Sequence, residues 1–343
     1  MFTQPLAKQV TRELSRWANH LHTADPAGDL DPLIRKTFTR EDPAFYARNM
    51  LMPMALPVEP SFSEDQPDTM RVTLQPLPPD APGVDRRDEV TSTMRHFVDG
   101  LAGREAVRWF DRISEPHRGF QHNTALNYGA FFGTAHDRNG LHTSKVYYET
   151  PEGRGAIEGL PTELVRVVMT AMQGIPGLTP LFTTIAARRD AGEQKLTFAC
   201  TAPIKLADLQ PTLDVLGLGH RLGGIMQTLG LVLGGQFELP AHSALMAFGH
   251  GPHGPDFEIY VLLSAIDDVP PSFLSLLTMG LNERPRALRA LERWMGALTP
   301  EDDYWPGRFS IISLRTNRSS PPRVSLYLRP AEFELTTAEQ SAA

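Results

Sequence analysis

At 343 residues the chain is long enough to bury a large core, and 41% hydrophobic with 21% charged residues is the balance of an ordinary globular protein. A formal net charge of -7 disfavours nucleic acid as the main partner, because its binders usually present a basic surface. The single cysteine, Cys200, excludes an intrachain disulfide and any multi-cysteine metal cluster, and with neither an h-region near Met1 nor an apolar run of about 18 residues a cytoplasmic protein is expected, with no membrane partner.

In chain order, the segment 1–48 is helical. "AKQVTRELSRWANHLH" (7–22) has the helical repeat, "TADPAGDLDP" breaks it, and a second short helix follows. "NMLMPMALPVEPSFS" and "TMRVTLQPL" read as two strands around the polar turn "EDQPD". The Pro-rich stretch "LPPDAPGVD" (77–85) is the best candidate linker, yet at this length it is expected to be a connection within one domain spanning 1–343.

Four more hairpins follow, each preceded by helix. Helix around 86–113 leads to "ALNYGAFFGTA" and "LHTSKVYYET" around "HDRNG". Helix around 154–173 leads to "FTTIAARRD" and "EQKLTFACT" around "AG". Helical segments over 205–233 precede "HSALMAFGH" and "DFEIYVLLSA" around "GPHGP". Helix around 270–297 precedes "RFSIISLRT" and "RVSLYLRP" around "NRSSPP". The tail 336–343 is expected to be mobile.

Five of these strands alternate in the same way. Lys145, Tyr147 and Glu149 oppose Val146 and Tyr148; Arg71, Thr73 and Gln75 oppose Val72 and Leu74; Lys195 and Thr197 oppose Leu196, Phe198 and Cys200. Glu258 and Tyr260 oppose Phe257, Ile259 and Val261, and Arg323, Ser325 and Tyr327 oppose Val324, Leu326 and Leu328. Ten antiparallel strands with helices between successive pairs hide both edges and apolar faces best by closing into a barrel with the helices outside. The polar faces then line a solvent-filled lumen, and about ten strands leave more room than side chains fill. The fold class is α+β.

Arg71, Lys145, Lys195 and Arg323 gathered in such a chamber call for a compensating anion, and a diphosphate suits Arg forks and Lys ammonium groups. The aromatic faces of Tyr147, Tyr260 and Tyr327 can shield a nearby carbocation. Anion clamp and aromatic box together suggest ionisation of an allylic diphosphate.

On these residues the sequence resembles the aromatic prenyltransferases of the dimethylallyltryptophan synthase family, of bacterial type, whose fold is the αββα prenyltransferase barrel. "PVEPSFS" followed by "MRVTLQPL" is similar to the family's early strand pair, "SKVYY" to its Lys-x-Tyr strand, and "RVSLYLRP" to its terminal Tyr strand. "QKLTF" falls where the family has Arg-x-Lys-x-Tyr. The likeness runs from about 50 to 330. It implies that Glu59 accepts an indole N–H, that Arg71, Lys145 and Lys195 hold the diphosphate, and that Tyr147 and Tyr327 shield the cation. Glu193 and Thr197 stand where the pattern has Arg and Tyr, and Glu258 where a Gln precedes Tyr260. Glu258 is therefore a candidate contact to the acceptor, and Arg188 or Arg189 a candidate replacement for the missing cation.

The resemblance implies metal-independent Friedel–Crafts alkylation in secondary metabolism, with dimethylallyl diphosphate, or geranyl diphosphate, as donor. The acceptor is an indole or tryptophan-like ring, with tyrosine, a phenol or a cyclic peptide as alternatives. No DDxxD motif is present, so no cofactor or metal is expected. A non-catalytic lumenal binder of a prenyl phosphate is the rival from another class, and it would need no Glu59. The histidines of "HGPHG" (250–254) fit a turn better than a metal site, "LGLGHRLGG" (216–224) lacks a surrounding βαβ unit, and "NRS" at 317 lacks a secretory context.

Overall fold

The computed structural model describes residues 5–119, 126–150 and 156–335; the tail 336–343 lies outside the described residues. Two helices open the chain, α1 (Leu6–Leu21) and α2 (Ala27–Thr37). In α1 the apolar residues Leu6, Val10, Leu14 and Trp17 recur every three or four positions, and all are buried.

The first strand is shorter than its sequence suggests. β1 spans Val58–Ser63 and β2 Met70–Leu74, while 50–57 is largely turns. Pro53 and Pro57 have no N–H to give a ladder, Met54 takes a left-handed backbone (φ 66°), and the Asn49 side-chain amide donates to the carbonyls of Tyr46, Met52 and Ala55. These local bonds satisfy the backbone that a strand would otherwise pair.

Next comes α3 (Gly83–Gly119), broken at Gly103, where φ is 75°. The Pro-rich stretch before it is fixed by Arg86, whose buried guanidinium donates to the carbonyls of Pro76, Pro78, Ala81 and Tyr128. β3 (Ala130–Asp137), β4 (Gly140–Glu149), α4 (Thr162–Gly174), β5 (Leu178–Arg188) and β6 (Gly192–Cys200) follow. The excursion over 204–239 carries α5 (Gln210–Val215) and α6 (Leu222–Val232). A two-stranded sheet of β7 (Ile204–Lys205) and β8 (Glu238–Leu239) closes its base, an element too short for a sequence signal. The chain ends with β9 (Ala244–Gly251), β10 (Gly254–Leu262), α7 (Phe273–Leu281), α8 (Pro285–Leu298), β11 (Gly307–Asn317) and β12 (Arg323–Pro330).

Ten strands form one closed antiparallel barrel in the order β1-β12-β11-β10-β9-β6-β5-β4-β3-β2. Closure comes from β1, which pairs with β2 on one side and β12 on the other. No barrel strand is left as an edge. The apolar faces, among them Val146, Tyr148, Phe198, Ile259 and Leu326, are fully buried under the helices and form the core. Burial of each such side chain contributes roughly 1.5–3 kcal/mol. Every hairpin turn lies at one end of the barrel, and the helical connections leave from the other. The ten-strand, helix-wrapped barrel expected from alternation is the one observed.

Candidate active site

The lumenal faces meet around a central cavity of about 280 Å³ lined by Arg71, Lys145, Tyr147, Lys195, Glu258, Tyr260, Arg315 and Tyr327, among others. Six of the residues expected to bind the donor and shield its cation are thus together, with Glu258 beside them. Arg323 is not in that lining. Its Nη1 donates to Glu64 Oε1 at 2.6 Å, and Arg284 holds the same carboxylate at 2.8 Å, so its guanidinium is committed to an ion pair. The register leaves Arg188 facing inward, where it lines the cavity, whereas Arg189 points out to Asp137 at 2.7 Å.

Two glycines make seats for these side chains. A methyl group at Gly133 would stand 3.2 Å from the Tyr147 ring, and one at Gly249 would stand 3.0 Å from Lys195 Cγ. Bare backbone at these points lets Tyr147 lie across β3 and Lys195 across β9. Tyr260 and Tyr327 face each other with ring centroids 6.2 Å apart, and Tyr147 meets Phe182 edge-on at 5.7 Å. Burial pushes the Tyr147 hydroxyl up to about 12, and Tyr260 and Tyr327 also titrate above the ordinary phenol value. All three are neutral phenols at neutral pH.

The charge pattern is richer than the sequence reading. Lys195 Nζ lies 2.9 Å from Asp256, 3.4 Å from Glu258 and 3.6 Å from Glu193. Arg315 grips Asp256 through two nitrogens at 2.9–3.1 Å and reaches Glu193 at 3.1 Å, and Arg188 binds Glu193 at 3.0 Å. Burial opposes ionisation of Glu193, but Lys195, Arg315 and Arg188 outweigh it and hold its carboxyl well below the usual range. Glu258 is lowered in the same way against its burial, with Ser313 Oγ donating to it at 2.9 Å. Arg315 and Asp256 escaped the sequence reading, though each continues an alternation already visible: Ser313 and Arg315 opposite Ile312 and Leu314, and Asp256 two residues before Glu258.

Arg71 and Lys145 differ from these cations. Among the described residues neither has a carboxylate within ion-pair distance. Burial, reinforced by Arg71, drops the Lys145 ammonium well below its ordinary value. An arriving anion would favour its charged form.

Glu59 sits one lumenal layer closer to the helix end than Arg71, since Glu59 pairs with Thr73 and Ser61 with Arg71. It is 6% exposed, and Ser310 Oγ donates to its Oε1 at 3.3 Å. Ser310 is the extra residue of a bulge where the β11–β12 register shifts between Phe309 and Ile311. Burial raises the Glu59 carboxyl to about 8 despite Ser310 and the charge of Arg329. Beyond it, at the helix end, Phe273, Leu274, Trp305, Phe309, Ser310 and Arg329 help to line a hollow of about 460 Å³. At the hairpin end, β6 and β9 stop pairing at Lys195 and Gly249. A mouth cavity of about 350 Å³ opens there, lined by Arg188, Glu193, Asp256 and Arg315 among others. Among the described residues no group of three or more His, Cys, Asp or Glu is placed to hold a metal ion, and no helix is long and apolar enough to cross a membrane.

No protein-family model and no curated protein matches the chain in sequence. Solved structures do match it. 6-Dimethylallyltryptophan synthase from Micromonospora olivasterospora, in complex with DMASPP and Trp, superposes with a TM-score of 0.72 at 16% identity, covering 97% of this chain and 99% of that one. 5-Dimethylallyltryptophan synthase from Streptomyces coelicolor, also with DMASPP and Trp, gives 0.71 at 15% identity, covering 97% of each. The fold is the prenyltransferase barrel. PriB, a prenyltransferase solved with L-tryptophan and dimethylallyl thiolodiphosphate, has the same barrel at a TM-score of 0.69 and 16% identity, over 97% of this chain and 98% of that one. In the present prenyltransferase barrel the cation-rich half of the lumen lies towards the hairpin turns and the buried carboxyl of Glu59 towards the helices.

Proposed function

We propose that the chain is an aromatic prenyltransferase that moves a dimethylallyl or longer prenyl group from its diphosphate to an indole or tryptophan-like ring, without a metal ion. The observation that carries this reading is the order of inward-facing groups along the strands: Lys145 stands one inward position nearer the hairpin turn than Tyr147 on β4, as Glu258 does relative to Tyr260 on β10, and Glu59 stands one inward position beyond Ser61, the partner of Tyr327, towards an apolar hollow at the helix end. PriB, solved with L-tryptophan and dimethylallyl thiolodiphosphate together, supports the same pair of substrate classes.

Arg71, Lys145, Lys195 and Arg315 take the diphosphate and stabilise it as a leaving group when the allylic C–O bond breaks. The faces of Tyr147, Tyr260 and Tyr327 hold the allyl cation, and the closed barrel keeps water from quenching it. The ring carbon then forms the new C–C bond, and the proton it bore is lost to a base. Glu59, once ionised, accepts the ring N–H and enriches the ring in electrons.

The test is a prenylation assay with dimethylallyl diphosphate against tryptophan, indole derivatives and tyrosine, in the presence of EDTA. Turnover should persist with EDTA. Glu59→Gln should lower turnover by a factor on the order of 10² while donor binding stays the same. Lys145→Ala should weaken donor binding and slow ionisation together. Wild-type turnover in the Gln variant would remove Glu59 from the mechanism, and a chain that binds the donor yet transfers nothing to any acceptor would be a lumenal carrier.

A further inference from the structure

The chamber brings its own counterions to the anion site. Of the five lumenal cations, Arg188, Lys195 and Arg315 are ion-paired with Glu193, Asp256 and Glu258, whereas Arg71 and Lys145 have no carboxylate within ion-pair distance among the described residues. Two further acids line these cavities, Asp65 in the β1–β2 turn and Asp190 in the β5–β6 turn, and among the described residues neither forms an ion pair with a lumenal cation. The two unpaired cations are also one place in space. Arg71 and Lys145 line the central cavity together and share a second, smaller hollow beside Tyr147 and Gly133. Arg315, Lys195 and Arg188 are each held by carboxylate oxygens at about 3 Å. A single phosphate group can therefore be met by free cations, while a diphosphate, longer and more highly charged, reaches cations that are already occupied.

We propose that Glu193 and Asp256 are built-in counterions filling half of the donor's anion site, so that a diphosphate binds by exchange: it lands on Arg71 and Lys145 and takes Arg315, Lys195 and Arg188 over from the two carboxylates. This rests on the prenyltransferase reading and assigns Glu193 and Asp256 as the residues that set donor affinity and the preference for diphosphate over monophosphate. The exchange has room to occur. Glu193 and Asp256 both line the mouth cavity; the Glu193 side chain is 22% exposed and turns into water on release, while Asp256, 9% exposed, turns towards the mouth cavity it lines. Glu258 keeps a second partner, Ser313, on the oxygen that Lys195 does not meet, and stays in place. The same carboxylates bridge cations that would otherwise repel one another at close range.

Calorimetric titration of the full chain at pH 7 tests this, with dimethylallyl thiolodiphosphate and dimethylallyl monophosphate as probes. Glu193→Gln keeps the shape and removes the charge; it should tighten the thiolodiphosphate by about tenfold or more and change the monophosphate by less than about threefold, because only the longer anion meets the exchanged cations. Asp256→Asn should act in the same direction and serves if the first variant fails to fold, with a thermal melt checking each protein. Weaker or unchanged thiolodiphosphate binding in both variants, or equal gains for both probes, would overturn the proposal while leaving the transferase reading intact. If neither anion binds to the wild type or to either variant, the donor site itself is wrong and both readings fall.

Discussion

Glu59 carries an electrostatic cost that can be measured apart from any reaction. Its folded carboxyl titrates at about 8 against an ordinary 4.5, so the folded protein holds a proton that the unfolded chain has lost. The folded state binds more protons across that window, and stability therefore falls as pH rises from about 4.5 to 8. Glu59→Gln has no charge to bury. Its melting temperature should equal the wild type near pH 5 and exceed it by roughly 2–6 °C near pH 8.5, read by circular dichroism. Equal melting curves at both pH values would mean that the carboxyl titrates normally. The proposed chemistry needs the ionised form, so turnover should rise with pH up to about 8, and the Gln variant should lack that limb.

At the level of strands, the two glycine seats make separable forecasts. A larger residue at Gly249 pushes on Lys195, and one at Gly133 pushes on the Tyr147 ring. Gly249→Val should weaken donor binding by roughly tenfold, since Lys195 is displaced from Asp256 and from the proposed anion site. Gly133→Val should leave donor binding almost unchanged and lower turnover by a similar factor, since what moves is the ring proposed as a cation shield. Donor titration beside single-turnover rates distinguishes the two; the reverse pattern would exchange the roles given to β3 and β9. Both strands tolerate Val in their ladders, so neither change should unfold the protein.

For the molecule as a whole, closure ties the chain's beginning to its end. β1 pairs with β12, Trp17 of α1 packs on Phe333 at 5.4 Å, and Arg16 donates to the carbonyls of Ala297 and Thr299 and to Glu332. We expect one cooperative thermal transition, seen alike by circular dichroism and tryptophan fluorescence. Trp17→Ala should cost about 3–5 kcal/mol of stability and lower the transition without splitting it, because the lost packing joins α1 to the segment after β12. Two resolved transitions would divide the chain into separate units.

The sequence by itself determined the barrel. Period-two alternation with apolar residues on one face, repeated in hairpins between helices, admits few closed solutions, and it put Arg71, Lys145, Tyr147, Lys195, Glu258, Tyr260 and Tyr327 on the inner face with no reference to coordinates. Alternation fixes which face a residue takes. It does not fix height along the axis or the neighbour across the lumen, because these depend on stagger between strands far apart in sequence. Only the tertiary structure could therefore decide that Arg188 rather than Arg189 turns inward, that Arg323 is spent on Glu64, and that the bulge at Ser310 brings a hydroxyl to Glu59. The same holds for the charge balance. Glu193 read as a missing cation in the sequence, but Arg315 and Asp256, brought beside it by the folding of β6, β10 and β11 into one wall, make it part of an ion-pair network.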